Sequence, residues 1–271
     1  FLTNGLLLKK DTTRRMIDAG VDWIGVSMDG ANAEMYEDIR IGSSFERVCE
    51  NLANLSKLRV GKVPKIMINF VLMNMNFHQV EEIVRLAARL GVDQVNFKQC
   101  DVIRGEHGKG FGLFASEETK QVRRLKKALS KARRLAKKLN VQTTAFPFTP
   151  EERPVCEQDP RDSLFIRYDG LVAPCISLAY GGQTTFLGKE ATMPSVHYGH
   201  LPDDDLLELW DSRACKFYRE RFQNRVKAHE DIIMDSLIGG SSARFETLRA
   251  AKEAMPEAPE GCRVCHYLFD I

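Results

Sequence analysis

Short apolar runs alternate with amphipathic segments through the first half of the chain, and few folds accept that order. VDWIGVSM (21–28) and KIMINFVLM (65–73) are nearly continuous apolar runs, and 92–98 is a third strand candidate. A strand that is apolar on both faces is buried on both faces, which happens in parallel sheets covered by helices. The segments between the runs have helical period. Residues 10–19 close on Gly20, FERVCENLANLSKL ends near Gly61, and HQVEEIVRLAARLG stops at Gly91. Asp11 and Asn76 are placed to cap two of these helices, and Ser43 with Glu46 has capping-box spacing ahead of the third. Repeated strand–helix–strand units predict an α/β fold with parallel strands near 22–28, 65–72, 93–98 and 141–146, in an open sheet or a barrel.

The glycine-rich segment GEHGKGFG (105–112) lacks the lysine–threonine ending of a phosphate cradle and reads as a plain loop. The helix expected over 116–139 carries ten Lys and Arg between Lys120 and Lys138. Its apolar stripe (Val122, Leu125, Leu129, Leu135) faces the sheet and its cations face solvent. No aromatic residues interleave with them to stack bases, which argues against nucleic acid. Four prolines in FPFTPEERPVCEQDP break the periodicity and set the domain boundary, giving domains 1–148 and 149–271. Beyond it, Asp169-Gly170 between apolar pieces marks a hairpin. Helices are expected over 204–222, 228–237 and 243–254.

Lys+Arg 39 against Asp+Glu 37 leaves a net charge of +2, so there is no global attraction to nucleic acid or an acidic membrane. No apolar run approaches the roughly 20 residues that cross a bilayer. The seven cysteines come without a secretion signal, and an odd count does not complete a disulfide framework. They point to a reducing, cytoplasmic setting, where clustered cysteines bind metal or do redox work.

Cys262 and Cys265 form GCRVCH, where two thiolates on a tight turn can face one ion or cluster. Cys156 and Cys175 lie on either side of the Asp169-Gly170 hairpin, which can bring them together. Four thiolates suit zinc or an iron–sulfur cluster equally at this level. A third reading leaves Cys156 and Cys175 as ordinary buried thiols. His266 is an alternative zinc ligand, although next to Cys265 it reads better as a packing residue. Cys49 and Cys215 fall in amphipathic helices and read as small core residues, and Cys100 ends a strand.

Several separate stretches resemble the radical S-adenosylmethionine (SAM) enzymes that carry a C-terminal SPASM or twitch auxiliary-cluster domain. Thr3-Asn4-Gly5 resembles the TNG that ends the third barrel strand. Val26-Ser27-Met28-Asp29-Gly30 resembles the SxDG that ends the fourth. YEDIR (36–40) resembles the family's YxxxR, and SFERVCENL (44–52) resembles the segment that follows it. Cys156-x13-Gly170-x4-Cys175 fits the family's C-x(9–15)-G-x4-C, and YGHL (198–201) followed by LLELWDS resembles the segment before the final cysteines.

The resemblance implies part of a (β/α)6 radical SAM barrel, a TIM-like partial barrel, followed by a small α+β SPASM/twitch domain. It implies a radical SAM oxidoreductase or maturase that takes a hydrogen atom from a peptide, protein or cofactor-precursor substrate, with an electron donor such as ferredoxin or flavodoxin. Ser27 and Arg40 would contact SAM, Arg40 through the methionyl carboxylate. Cys156, Cys175, Cys262 and Cys265 would hold one auxiliary [4Fe-4S] cluster. No catalytic residue is identified. The family's C-x3-C-x2-C loop, which holds the second [4Fe-4S] cluster that binds SAM, would precede Phe1. A fragment without it should not cleave SAM. The resemblance favours iron–sulfur over the alternative, a non-catalytic four-cysteine zinc module. Without the family context, the simplest role for Arg40 is a surface pair with Glu37 or Asp38, while Asn4 and Asp29 shape turns.

Overall fold

The structure, a computed structural model, describes residues 1–100, 112, 120–145, 150–238 and 244–270. They fall into two compact units, Phe1–Cys100 with the described part of 112–145, and the residues from Pro150 onward. The glycine-rich loop lies outside the described residues except for Gly112, and the basic helix is described from Lys120.

The first unit is a five-stranded parallel sheet in chain order: β1 (Leu2–Thr3), β2 (Trp23–Ser27), β3 (Lys65–Leu72), β4 (Gln94–Gln99) and β5 (Gln142–Ala145). Helices α1 (Lys10–Asp18), α2 (Ala33–Ile39), α3 (Phe45–Leu58), α4 (Val80–Leu90) and α5 (Lys120–Lys138) make the crossovers. This is the parallel α/β arrangement of a partial radical SAM barrel. Ile24, Val26, Ile66, Ile68, Phe70, Val95 and Phe97 fill one face of the sheet and are almost wholly buried. Leu52 and Leu55 of α3, Ile83 and Val84 of α4, and Leu125 and Leu129 of α5 are buried as well. Each such side chain contributes about 1.5–3 kcal/mol on leaving water. The α5 stripe therefore packs inward as its spacing requires, and its described cations lie outward.

The helix starts differ in detail from the sequence reading. Lys9, not Asp11, occupies the cap position of α1, and Asp11 sits in the first turn. Ser44, one residue after the expected Ser43, caps α3 by accepting from the Arg47 amide at 3.4 Å. Asn76 caps nothing with its side chain. It accepts from the Met73 amide and donates to the carbonyls of Asp29 and Val71.

Gly30 shows why the SMDG segment ends in glycine. A Cβ there would stand 2.4 Å from Tyr36 N and 2.8 Å from Tyr36 Cα, both backbone atoms. Gly30→Ala should lower stability by about 1–3 kcal/mol, because helix α2 must move to admit it. An unchanged denaturation midpoint would contradict this close approach.

In the second unit, β6 (Phe165–Ile166), β7 (Leu171–Ala173) and β10 (Gly199–His200) form a small antiparallel sheet in the order β10-β7-β6. The Asp169-Gly170 turn joins β6 to β7 as expected. Gly170 has φ +97°, and a Cβ there would collide with the Leu201 carbonyl. Helix α6 (Ile176–Tyr180) is followed by a hairpin of β8 (Gly182–Phe186) and β9 (Lys189–Met193), which the sequence reading does not contain. The helix expected over 204–222 divides at Ser212 into α7 (Leu206–Asp211) and α8 (Arg213–Ile238). Helix α8 runs straight through the gap between the two helices expected at 204–222 and 228–237, since 223–227 holds no proline or glycine to stop it. Helix α9 (Arg244–Ala254) follows, then two short 3-10 turns, Glu260–Val264 and His266–Phe269.

Candidate functional site

Each unit presents one constellation of chemistry-bearing residues. In the first, strand alternation sets the faces. Ile24 and Val26 enter the helix-covered core, so Gly25 and Ser27 turn to the opposite face. In register, Ser27 pairs with Asn69, Asn69 with Asn96, and Asn96 with Thr144. These four residues form one row across β2–β5. Lys98, two residues beyond Asn96, shares that face, which the sequence left open for both Asn69 and Lys98. Asn96 Nδ2 donates to Asn69 Oδ1 at 3.0 Å, and Thr144 Oγ1 donates to Asn96 Oδ1 at 2.7 Å. Gly25 leaves room for the ladder, since a Cβ there would stand 2.8 Å from Asn69 Nδ2. Sequence reasoning missed Asn96 and Thr144. Parallel register with Ser27 is the signal that finds them.

Asp29 follows β2 and is buried. Its Oδ1 accepts from the Val71 amide at 2.7 Å, and its Oδ2 pairs with Arg40 Nη2 at 2.5 Å. Burial pushes the Asp29 carboxyl up, opposed by the Val71 amide and the Arg40 guanidinium. Arg40 at the end of α2 thus pairs with Asp29 and not with Glu37 or Asp38. Its Nε is buried and, among the described residues, has no hydrogen-bond partner. A buried guanidinium edge without an acceptor is costly unless an anion meets it. Asn4 does shape a turn, accepting from the Leu6 amide through Oδ1.

In the second unit, Cys156, Cys175, Cys262 and Cys265 line one cavity of about 340 Å³, counted with the open space at its mouth. Cys175 leaves β7 and stands at the N-terminus of α6. Cys262 and Cys265 ride the 3-10 turn Glu260–Val264 and the residue after it. Gly261 lets that turn approach, since a Cβ there would lie 2.5 Å from Leu178 and 3.0 Å from Pro194. Leu178, Met193 and Leu268 complete an apolar lining. Cys49, Cys100 and Cys215 are not in the cavity wall. Cys49 lies on α3, where burial pushes its thiol up to about 11. Cys215 meets the Tyr198 hydroxyl. His266 is buried against Phe186 with ring centroids 5.2 Å apart, and burial lowers it to about 4, so it packs and does not face the cavity.

Burial raises the Cys262 thiol, and charge on Cys175, Cys265 or Cys156 would raise it further. Cys265 is raised by burial too, against the Tyr267 and Leu268 amides and the Ser177 hydroxyl. Cys156 is raised by burial, against the amides of Gln158 and Asp159. The four sulfurs therefore sense one another in a poorly solvated space. Four thiolates are tolerable there only around a compensating cation, and soft sulfur donors select zinc or iron–sulfur groups. Among the described residues, no group of three or more His, Cys, Asp or Glu is arranged to hold a metal ion.

Arg225 of α8 holds the segments that carry these cysteines, although it is 1% exposed. Its Nη2 donates to Glu152 Oε1 at 2.8 Å and the Arg153 carbonyl at 3.0 Å, and its Nε to the Pro154 carbonyl at 3.1 Å. Its Nη1 donates to the Pro256 carbonyl. One side of this clamp leads into Cys156 and the other into Cys262.

Residues 1–87 match the model of the radical SAM superfamily, and residues 156–232 match that of the SPASM iron–sulfur cluster-binding domain. The chain belongs to the radical SAM enzymes with a SPASM domain. The SPASM match includes Cys156 and Cys175 and ends before Cys262 and Cys265. Both families bind [4Fe-4S] clusters. A curated relative from Pyrococcus furiosus, a tungsten-containing aldehyde ferredoxin oxidoreductase cofactor-modifying protein, is 24% identical over 222 residues, 80% of this chain and 60% of that protein. SuiB of Streptococcus suis, solved with its precursor peptide SuiA, shares the fold with a TM-score of 0.51 at 16% identity, over 80% of this chain and 48% of SuiB. The enzyme anSMEcpe, solved with AdoMet and the Cp18Cys peptide, gives 0.53 at 13%, over 82% of this chain and 59% of that one. The radical SAM chain described here thus spans about half to three-fifths of these relatives. Among its described residues, no helix is long and apolar enough to cross a membrane.

Proposed function

We propose that the chain is part of a cytoplasmic radical SAM oxidoreductase or maturase acting on a peptide, a protein or a cofactor precursor. Residues 1–148 are its barrel portion, and 149–271 are its auxiliary-cluster domain. The observation that carries the reading is the cavity lined by Cys156, Cys175, Cys262 and Cys265 beneath an apolar wall. All four thiols would ligate one [4Fe-4S] cluster, which leaves no ligand position for substrate. The domain's role is then electron relay or stabilisation. Tetrahedral zinc needs four sulfurs at about 2.3 Å from a single centre, whereas a cluster spreads its ligands around a larger body.

Ser27 and Arg40 would bind SAM. Arg40 fits a carboxylate because its buried Nε has no acceptor while Nη2 is held by Asp29. Asp29 fixes the guanidinium plane, and the side chain, which is 28% exposed, can offer a further donor to a second anion. Ser27 ends β2, at the strand end where barrel sites lie. When bound, SAM and the cluster held by residues outside this chain supply reductive cleavage and hydrogen-atom abstraction. The electron comes from a donor such as ferredoxin or flavodoxin. The Ser27–Asn69–Asn96–Thr144 row offers substrate a neutral hydrogen-bonding surface.

Anaerobic purification followed by iron, sulfide and zinc analysis tests the cavity. About four irons and four sulfides per chain are expected, and about one zinc without iron would overturn the reading. In a longer chain that includes the C-x3-C-x2-C loop, Arg40→Ala should weaken SAM binding by about 1.5–3 kcal/mol, the value of a charge-assisted contact. Unchanged affinity by calorimetry would remove Arg40 from the site.

A further inference from the structure

The donors that reach the thiols differ in kind. Cys265 receives the Tyr267 and Leu268 amides and the Ser177 hydroxyl. Cys156 receives backbone amides alone. The Arg225 guanidinium favours charge on Cys262. A side-chain donor thus stands at the Cys265 edge of the cavity, whereas Cys156 is met by backbone amides.

Ser177 supplies the side-chain hydroxyl at that edge. It is 5% exposed and forms part of the cavity wall, two residues beyond Cys175 in the first turn of α6. Leu178, the next residue, anchors the same short helix in the core. The same helix thus places Ser177 and Leu178 together in the cavity wall.

We propose that Ser177 is a positioning residue that raises the reduction potential of the group held by the four cysteines. The inference rests on reading the cavity as an iron–sulfur site. A hydrogen bond into a ligating sulfur draws negative charge from it. That stabilises the state carrying one more electron, in which the sulfur is richer in charge. Ser177 does this without being a ligand, and its removal leaves Cys265 with its two amides.

The isosteric pair Ser177→Val and Ser177→Thr tests this in the chain reconstituted anaerobically with iron and sulfide. Threonine keeps the hydroxyl, whereas valine has the same shape without it. The midpoint is read by dithionite titration followed by electron paramagnetic resonance. The valine variant should bind iron as the parent does, with its one-electron reduction equilibrium lowered roughly three- to tenfold, the upper end being about 59 mV for one electron. Threonine should restore the parent midpoint. Equal midpoints for the two variants would overturn the role of Ser177. A parent protein that binds no iron would instead overturn the reading of the cavity, and iron analysis reveals that before any potential is measured.

Discussion

Cys262→Ala is expected to abolish iron binding, from about four irons per chain to fewer than one. Cys262 is the most deeply buried of the four thiols and belongs to the buried cluster that includes Leu178, Tyr218 and Leu268. Alanine fits that space, so folding should survive with a small loss for the missing sulfur, while a cluster held as proposed would lose one of its four thiolates. Cys156→Ala, Cys175→Ala and Cys265→Ala should behave alike, because each removes one donor from the same cavity. Cys49→Ala is the control. Its thiol belongs to α3 in the other unit and should leave the iron content unchanged. Elemental analysis with the visible absorption of the reconstituted protein measures all five. Full iron retention in Cys262→Ala would exclude it as a ligand.

Arg225→Ala should be the most destabilising single change in the second unit, by about 3–5 kcal/mol. The side chain reaches four backbone or carboxylate acceptors from inside α8. Truncation leaves the carbonyls of Arg153, Pro154 and Pro256 without this donor and Glu152 without its cation. Each buried unsatisfied acceptor costs about 1–3 kcal/mol. The loss falls on the two segments leading to Cys156 and Cys262, so iron retention should fall together with stability. Urea denaturation followed by circular dichroism measures the effect. A change below about 1 kcal/mol would show that water replaces the guanidinium at no cost.

Much of the first unit was legible because its code is local. Parallel strands buried on both faces must be apolar runs, and the helices that cover them must repeat every 3.6 residues. Strands β2, β3, β4 and β5 accordingly lie within one or two residues of the expected positions. Helix starts were less secure. A cap depends on one hydrogen bond, and Asn76 directed its amide to Asp29 and Val71 instead. The β8–β9 hairpin escaped notice because GQTTF and KEATM are mostly polar, with one face against the protein and little apolar alternation to mark it.

By itself the sequence determined the order of strands and helices, the change of texture near 146–160, and two cysteine pairs whose spacing allows a shared group. These are consequences of periodicity and spacing along the chain. Only the tertiary structure decided which residues face one another. Register placed Asn96 and Thr144 beside Ser27, and a buried Asp29 claimed Arg40 in place of its sequence neighbours Glu37 and Asp38. Arg225 reads as a surface cation by residue type, yet it lies in the interior because four acceptors compensate its desolvation. Pairings between distant segments are set by packing and the burial of polar groups, and neither is written in any local stretch of sequence.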